Sequence, residues 1–233
     1  TSQSHQCLGT LQRIVLIVVT CLCCLLLCGI VVHVRATTPG DDDIYYIRSF
    51  VGNGVDALKV NVPALEASIG TPRGIVQSKK GDLYISSNSQ HVVLKVEFNS
   101  LKGTSKVTVV AGTGTMGKGA DNILATDSAM SYPMGLSLIE DDVTGDLKAI
   151  IISDSNNHRV RKLDMETKLI HTIAGKGDGL DGGSAIDAKL SSPRQAYHDK
   201  STGDLFIVEG TGHKIRRVFA SNSTITTVVG QCI

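Results

Sequence analysis

The glycine-rich stretch in the middle of the chain is the first candidate for chemistry. Gly112-Thr-Gly-Thr-Met-Gly117 follows an apolar strand and has the Gly-x-Gly-x-x-Gly spacing of dinucleotide-binding loops. Such a loop has to open a helix whose N-terminal amides receive the phosphates, and no helical periodicity follows it. The same Gly-x-Gly step recurs at Gly52 and Gly175. A feature that recurs at one position of a repeat is scaffold, so the sequence predicts no nucleotide site and no cofactor.

Aspartates and histidines are the second candidate, because both can hold metal ions. Asp178, Asp181 and Asp187 lie in a glycine-rich stretch, but their spacing is not that of an EF-hand loop and no glutamate closes it. Three histidines recur in register along the chain, namely His91, His158 and His213. Because equivalent positions of separate repeats lie far apart, a structural role at a turn is favoured over a metal triad. The sequence therefore predicts no metal site.

Composition and the remaining motifs exclude several other classes of function. The sequence contains no Gly-x-Ser-x-Gly or His-Glu-x-x-His motif and no credible nucleophile–base pair, so it predicts no catalytic residues. Every cysteine except Cys232 lies within the first 28 residues, which leaves the body of the protein without an internal disulfide. The net charge of +1 is too small for a phosphate-binding footprint, so no nucleic-acid partner is expected.

Internal repetition is the strongest signal in the sequence. An apolar strand opens with Pro72, Pro133 and Pro193, which lie about 60 residues apart. Each repeat continues with a second apolar strand, a histidine-led strand that alternates apolar and basic residues, and a closing strand that ends in glycine. The closing strands are VTVVAG, LIHTIAG and ITTVVG, and a leading copy, YIRSFVG, precedes the first repeat. Four short strands, here named a to d, in repeats of this length predict an all-β fold, a β-propeller of four-stranded blades.

The best-formed repeats resemble the NHL repeat family. The third reads AGKGDGLDGGSAIDAKLSSPR, then GDLFIVEGTGHKIRRV, then ITTVVG, and the second contains SDSNNHRVRKLD. The resemblance covers about residues 46–230 and implies a six-bladed propeller. This chain supplies three NHL-type blades, at about 53–112, 113–175 and 176–230, and a clasp strand at 44–52. Since three blades leave exposed sheet edges, we expect a truncated chain or a ring closed by a homodimer.

The N-terminal region has the composition of a membrane segment. After a short tail, 1–13, the apolar run 14–34 is long enough in a helix to cross a hydrocarbon core of roughly 30 Å. A polar linker, 35–43, leads to the propeller domain, 44–233. We expect a single transmembrane signal-anchor with the propeller extracellular or lumenal; the alternative is a cleaved signal peptide and a secreted protein. The sequon at Asn222 is a glycosylation candidate compatible with either.

The candidate binding face follows from the strand order. Antiparallel strands bring the long d–a loops and the b–c turns to one end of the blades. Its candidate residues are Arg73, Arg194, Asn156, Asn157, His158 and His213. The two arginines begin strand a of the first and third repeats, where pairing with a neighbouring loop is favoured and an anionic ligand is the alternative. The sequence predicts a non-catalytic binding scaffold for a protein or glycan. The alternative implied by relatives is a propeller enzyme of the amidating-lyase or lactonase type, with a central-channel metal supplied by further blades.

Overall fold

The described part of the chain is built almost entirely of β-strands. The computed structural model describes residues 28–35, 45–99 and 104–230. The first four strands are β1 (Cys28–Arg35), β2 (Tyr45–Gly54), β3 (Leu58–Lys59) and β4 (Ser68–Ile69). Strand β1 pairs antiparallel with β2, and β3 pairs with β4. This all-β arrangement agrees with the fold class predicted from the repeats.

Three antiparallel sheets follow in chain order, each made of four sequential strands. The first contains β5 (Pro72–Gln77), β6 (Leu83–Ser87), β7 (Val92–Asn99) and β8 (Thr104–Ala111). The second contains β10 (Pro133–Glu140), β11 (Leu147–Asp154), β12 (Arg159–Asp164) and β13 (Leu169–Ala174), and the short β9 (Ile123–Leu124) pairs with its outer edge. The third contains β14 (Pro193–His198), β15 (Leu205–Glu209), β16 (Lys214–Val218) and β17 (Ile225–Val229). These are strands a to d of the three predicted repeats.

Apolar side chains packed between consecutive sheets form the core. In β11, Ile150 and Ile152 pack in the cluster shared with the first sheet, whereas Ile151 packs in the cluster shared with the third. Because side chains alternate across a strand, a strand between two packed layers has to be apolar at successive positions. The apolar second strand of each repeat reflects this two-sided burial, which extends over all of β6 and over residues 149–154 of β11 and is one-sided in β15.

The first strands of neighbouring sheets approach one another closely at two glycines. A Cβ atom added to Gly74 would lie 2.6 Å from the Met134 carbonyl oxygen, and one added to Gly135 would lie 2.6 Å from the Arg194 carbonyl oxygen. Any side chain at these positions would overlap the next sheet's backbone. Glycine therefore lets β5, β10 and β14 converge side by side. In the third sheet Gln195 stands where the other two sheets have glycine. The residues before these three positions, Arg73, Met134 and Arg194, therefore lie side by side at the start of their strands.

The outer face of the third sheet is apolar and largely uncovered within the described residues. Tyr197 and Val208 are 56% and 39% exposed. Arg217 covers part of this face, with its guanidinium 4.4 Å from the centre of the Phe219 ring and 5.8 Å from that of Phe206. Phe206 occupies the position that corresponds to Ile151 in the second sheet, and Ile151 packs against the third sheet. This face of the third sheet therefore corresponds to the face of the second sheet that the third sheet covers.

The structure differs from the sequence expectation at the N-terminus. Most of the predicted helix at 14–34 lies outside the described residues, and residues 28–34 form part of β1, so a helix is not supported there. The β-branched residues of this stretch suit a strand beside β2. No helix in the described part of the chain is long and apolar enough to span a membrane. The long d–a loops contain two short 3₁₀-helices, Ala64–Glu66 and Ala125–Asp127.

Candidate functional site

A polar cavity lies where the first strands of the three sheets begin. Its volume is about 200 Å³, and every lining residue belongs to the end formed by the d–a loops and b–c turns. The lining consists of two arginines, two asparagines, two serines, a tyrosine and a methionine: Arg73, Arg194, Asn88, Asn156, Ser155, Ser192, Tyr132 and Met134. The cavity thus lies on the face predicted from strand order. We call it the mouth cavity.

Arg73 and Arg194 occupy equivalent positions and border the mouth cavity together. Each is the second residue of its first strand, and Met134 holds the same position between them. Within the described residues, neither guanidinium makes an ion pair or a hydrogen bond. The pairing with a neighbouring loop that the sequence favoured is therefore not seen. Both side chains are exposed, and they remain available to a ligand.

The acidic residues that end β11 and β15 already have cationic partners of their own. Asp154, at the end of β11, accepts a bond of 2.8 Å from the Nε of Arg159 and one of 2.7 Å from the Ser131 amide. Glu209, at the end of β15, pairs with Arg216 at 3.2 Å. Burial raises the pKa of Glu209, although the nearby Arg216 opposes this effect. Because these carboxylates already have buried cationic partners, neither of them pairs with the two arginines that line the mouth cavity.

Of the other predicted face residues, only Asn156 lines the cavity. Asn157 donates 2.9 Å to the Gly117 carbonyl oxygen and also binds Asp154, so it fastens a loop. The Nδ1 of His158 accepts a 3.0 Å bond from the Ser192 amide of the next sheet. His213 is exposed on the corresponding turn of the third sheet. Asn222 lies at the other end of the sheets, in an exposed c–d turn where its Oδ1 accepts a bond from the Thr224 amide.

The histidines recur because each ends a b–c turn in the left-handed conformation. Their φ angles are 55° at His91, 54° at His158 and 50° at His213. His91 repeats the contact of His158, since its Nδ1 accepts a 3.3 Å bond from the Tyr132 amide of the second sheet. Its ring also meets the Tyr132 ring edge-on, with centroids 4.9 Å apart. These contacts join one turn to the next sheet and fix the position of a cavity-lining tyrosine.

Two buried arginines hold the long loops in place, and the sequence analysis missed them. Arg161, fully buried on β12, pairs with Asp121 at 3.0 Å. The same carboxylate accepts 3.0 Å from the Thr172 amide and 2.7 Å from Lys176. Although burial alone would raise the pKa of Asp121, hydrogen bonds from Lys176, Thr172 and Arg161 lower it to about 2. This arginine–aspartate–threonine cluster joins the d–a loop to strands c and d of the second sheet.

The third sheet repeats the cluster. Arg216 of β16 pairs with Asp181, whose carboxylate also accepts a 2.9 Å bond from the Thr227 amide. Both arginines lie three residues after the recurring histidine, and both aspartates precede a residue with positive φ in the loop. That shared spacing in the second and third repeats is the sequence signal that could have revealed the cluster.

The first sheet carries an apolar version of the same cluster. Leu94 lies three residues after His91, where the other sheets have arginine. The backbone amides of Asn61, Asn122 and Gly182 bond to the corresponding closing strands, and the residues preceding them are Val60, Asp121 and Asp181. Val109 takes the place of threonine opposite Leu94. Leu94, Val60 and Val109 pack in one hydrophobic cluster, so all three polar positions have been exchanged together.

This exchange predicts how the second sheet responds to substitution. Arg161→Leu alone leaves Asp121 with Lys176 as its remaining cationic partner and removes the buried hydrogen bonds of the guanidinium, so it should cost about 1–3 kcal/mol in the free energy of unfolding. Adding Asp121→Val and Thr172→Val recreates the first sheet's apolar cluster, and most of that loss should be recovered. Urea denaturation of the single and triple variants measures the difference. A triple variant no more stable than the single one would show that the two clusters are not interchangeable.

The histidine contacts predict a loss of stability in mild acid. Burial lowers the pKa of His91 despite the nearby Asp154, and burial also lowers the pKa of His171 and His198. Because these folded pKa values lie below the unfolded value of about 6.5, the stability they maintain is complete above that pH and is lost as pH falls through the folded pKa.

We therefore expect the free energy of unfolding to decrease from pH 7 to pH 5.5. His91→Gln should reduce that slope, by at most about 1.4 kcal/mol per pH unit for a single proton. Urea denaturation at a series of pH values tests this, and equal slopes for wild type and His91→Gln would refute the assignment.

No group of three or more histidine, cysteine, aspartate or glutamate residues is placed to hold a metal ion within residues 28–35, 45–99 and 104–230. The loop 112–117 does not lead into a helix; instead, its Gly117 amide bonds to the Met130 carbonyl oxygen. In the second glycine-rich stretch, Asp181 pairs with Arg216.

Comparison with known proteins supports the repeat assignment, although no family model matches the chain. NHL repeat-containing protein 2 of Bos taurus is 30% identical over 125 residues, which are 52% of this chain and 15% of that protein. Teneurin-1 of Gallus gallus is 27% identical over 203 residues, which are 79% of this chain and 7% of that protein. This chain thus spans less than a fifth of the length of these curated relatives.

Solved structures agree on the fold. An auxiliary nutrient binding protein from Bacteroides thetaiotaomicron matches 86% of this chain and 43% of its own length, with a TM-score of 0.59 and 17% identity. A chain of the nidogen/laminin complex matches 88% of this chain and 60% of its own length, with a TM-score of 0.50 and 14% identity. The matches and the three four-stranded sheets together confirm that the chain resembles the NHL repeat family and has the all-β propeller fold.

Proposed function

We propose that this protein is a non-catalytic binding module that recognises a protein or a glycan through the end of the propeller formed by the long loops. The observation that carries this proposal is the mouth cavity, which is lined by two arginines that make no ion pair within the described residues. Polar groups with no protein partner, gathered in a concave site, are the usual mark of a ligand-binding surface.

Rigid support of the loops strengthens the proposal. The loop that ends at Tyr132 is tied to the sheets by the Asp121 cluster and by Asn157 and Arg159, which bind the Gly117 and Gly119 carbonyl oxygens. Loops on a firm scaffold lose little conformational entropy when they bind a partner. The opposite end of the sheets has short turns instead, such as the one containing Lys79 and Lys80.

Structural neighbours include propellers named for binding. Two are auxiliary nutrient binding proteins and one is the nidogen/laminin complex, whereas another is a virginiamycin B lyase from Staphylococcus aureus. Their likeness to this chain is one of fold, which makes binding a reasonable use of this architecture without naming the ligand.

Binding by the long-loop end can be tested with matched variants. The purified full chain would be applied to arrays of extracellular-matrix proteins and of glycans. Arg73→Ala combined with Asn156→Ala should reduce binding at least tenfold. Lys148→Ala combined with Ser201→Ala, at the short-turn end, removes the same charge and should leave binding unchanged. Equal effects of the two double variants would contradict the choice of face, and binding by neither wild type nor variants would contradict the binding function.

We further propose that the apolar run 14–34 carries the propeller to the outside of the cytosol, as a single-pass anchor or, alternatively, as a cleaved signal peptide. The support for this is its composition, which is almost wholly apolar over a length that can span a bilayer. Asn222 then lies in a compartment where sequons are glycosylated. Its turn lies at the end of the sheets remote from the mouth cavity, so a glycan there leaves the proposed site open.

Glycosylation provides the test of this location. When the full chain is expressed in a eukaryotic cell, we expect a glycosidase-sensitive mobility shift that Asn222→Gln abolishes. Asp142→Asn places an Asn-Val-Thr sequon in a turn where the Asp142 side chain is 77% exposed, and it should add a second shift. If neither site is modified, the proposed location is wrong.

A further inference from the structure

We infer that the mouth cavity binds the carboxylate of an acidic sugar residue through Arg73 and Arg194, an inference that rests on the binding function proposed above. Arg73 and Arg194 both line one cavity of about 200 Å³, and within the described residues neither guanidinium makes an ion pair. Two like charges on side chains that line one small cavity repel each other, and an anion bound there relieves the repulsion. Arginine also offers paired donors that match the two oxygens of a carboxylate.

The neutral part of the lining favours a sugar over a simple acidic side chain. The Nδ2 of Asn88 donates a 3.1 Å hydrogen bond to Met134 Sδ, and the Nδ2 of Asn156 donates a 3.3 Å bond to Ser131 Oγ. Their carbonyl oxygens, together with the hydroxyls of Ser155 and Ser192, leave acceptors and donors for a ligand. A carboxylated sugar carries ring hydroxyls that can engage these groups, whereas a glutamate side chain offers only its carboxylate.

The rest of the lining provides a small apolar surface. Tyr132 is 42% exposed, and its ring is held in place by His91. Met134 lies between the two arginines in the row of first strands. The C–H face of a pyranose ring can pack on such a surface and leave its hydroxyls to the polar groups. Because drug-sized ligands fill pockets of about 300–1,000 Å³, this volume suits a single sugar residue.

Gly210 gives the site a positioning element that can be varied without changing charge. The Arg194 side chain lies across Gly210 so closely that a Cβ atom there would overlap its Nε and lie 2.9 Å from its Cγ. Gly210→Ala therefore has to displace the Arg194 side chain. This variant keeps the charge of Arg194 and changes only the position of its guanidinium.

The test is calorimetric titration of the full chain with methyl β-glucuronide and with its neutral counterpart, methyl β-glucoside. We expect at least tenfold tighter binding of the glucuronide, weakened by added salt. Arg73→Gln with Arg194→Gln should abolish this preference, and Gly210→Ala should reduce it. Lys148→Gln with Lys200→Gln, a charge-matched pair at the opposite end, should leave it intact. Thermal unfolding of each variant verifies that it is folded.

Four results would overturn the inference. An acidic peptide, N-acetyl-glutamyl-glycine amide, that binds more tightly than the glucuronide with the same arginine dependence would make the site a peptide site. Equal affinity for glucuronide and glucoside would remove the role of the carboxylate. Failure of both sugars and the peptide to bind, while the array binding persists, would overturn the cavity assignment and leave the proposed function standing. Loss of the array binding as well would remove both.

Discussion

Convergence of the first strands of neighbouring sheets is the constraint on which the site depends. Gly74 and Gly135 present no side chain to the next strand, so the backbones of β5, β10 and β14 come within contact distance. The residues just before these glycines are therefore brought to one small opening. If the strands stood a side chain's width apart, the two arginines would belong to separate surfaces and no shared cavity would form.

The same geometry determines what the loops have to do. Each long loop connects strand d of one sheet to strand a of the next, so it has to cross the full width of a sheet. The buried arginine clusters tie its middle to strand c, and the histidine contacts tie its end to the preceding turn. A buried ion pair contributes less net stability than its short distances suggest, because both charges lose their water. It also holds the loop in one arrangement, and an apolar cluster occupies the equivalent positions in the first sheet.

Strands were far easier to predict than the contacts that join them. The alternation of apolar and basic residues after His158, and the unbroken apolar run of β11, are local patterns that reflect local burial. The pairing of Arg161 with Asp121 joins residues forty positions apart and leaves no local pattern, only a spacing shared by the second and third repeats. The mouth arginines were expected to find loop partners, because the sequence does not show that Asp154 and Glu209 are already occupied by other arginines. The strand at Cys28–Arg35 was missed because an apolar, β-branched run satisfies a membrane helix and a strand equally.

The matched clusters have a consequence for how such repeats can evolve. Three positions in one repeat, in the loop, in the third strand and in the closing strand, are either all apolar or all polar. A crossover between repeats within this interval would set a valine against an arginine, or a leucine against an aspartate. Either product carries a buried charge without its partner. Gene duplication and recombination can therefore exchange these segments only as whole blocks, and each block preserves the chemistry of the copy from which it came.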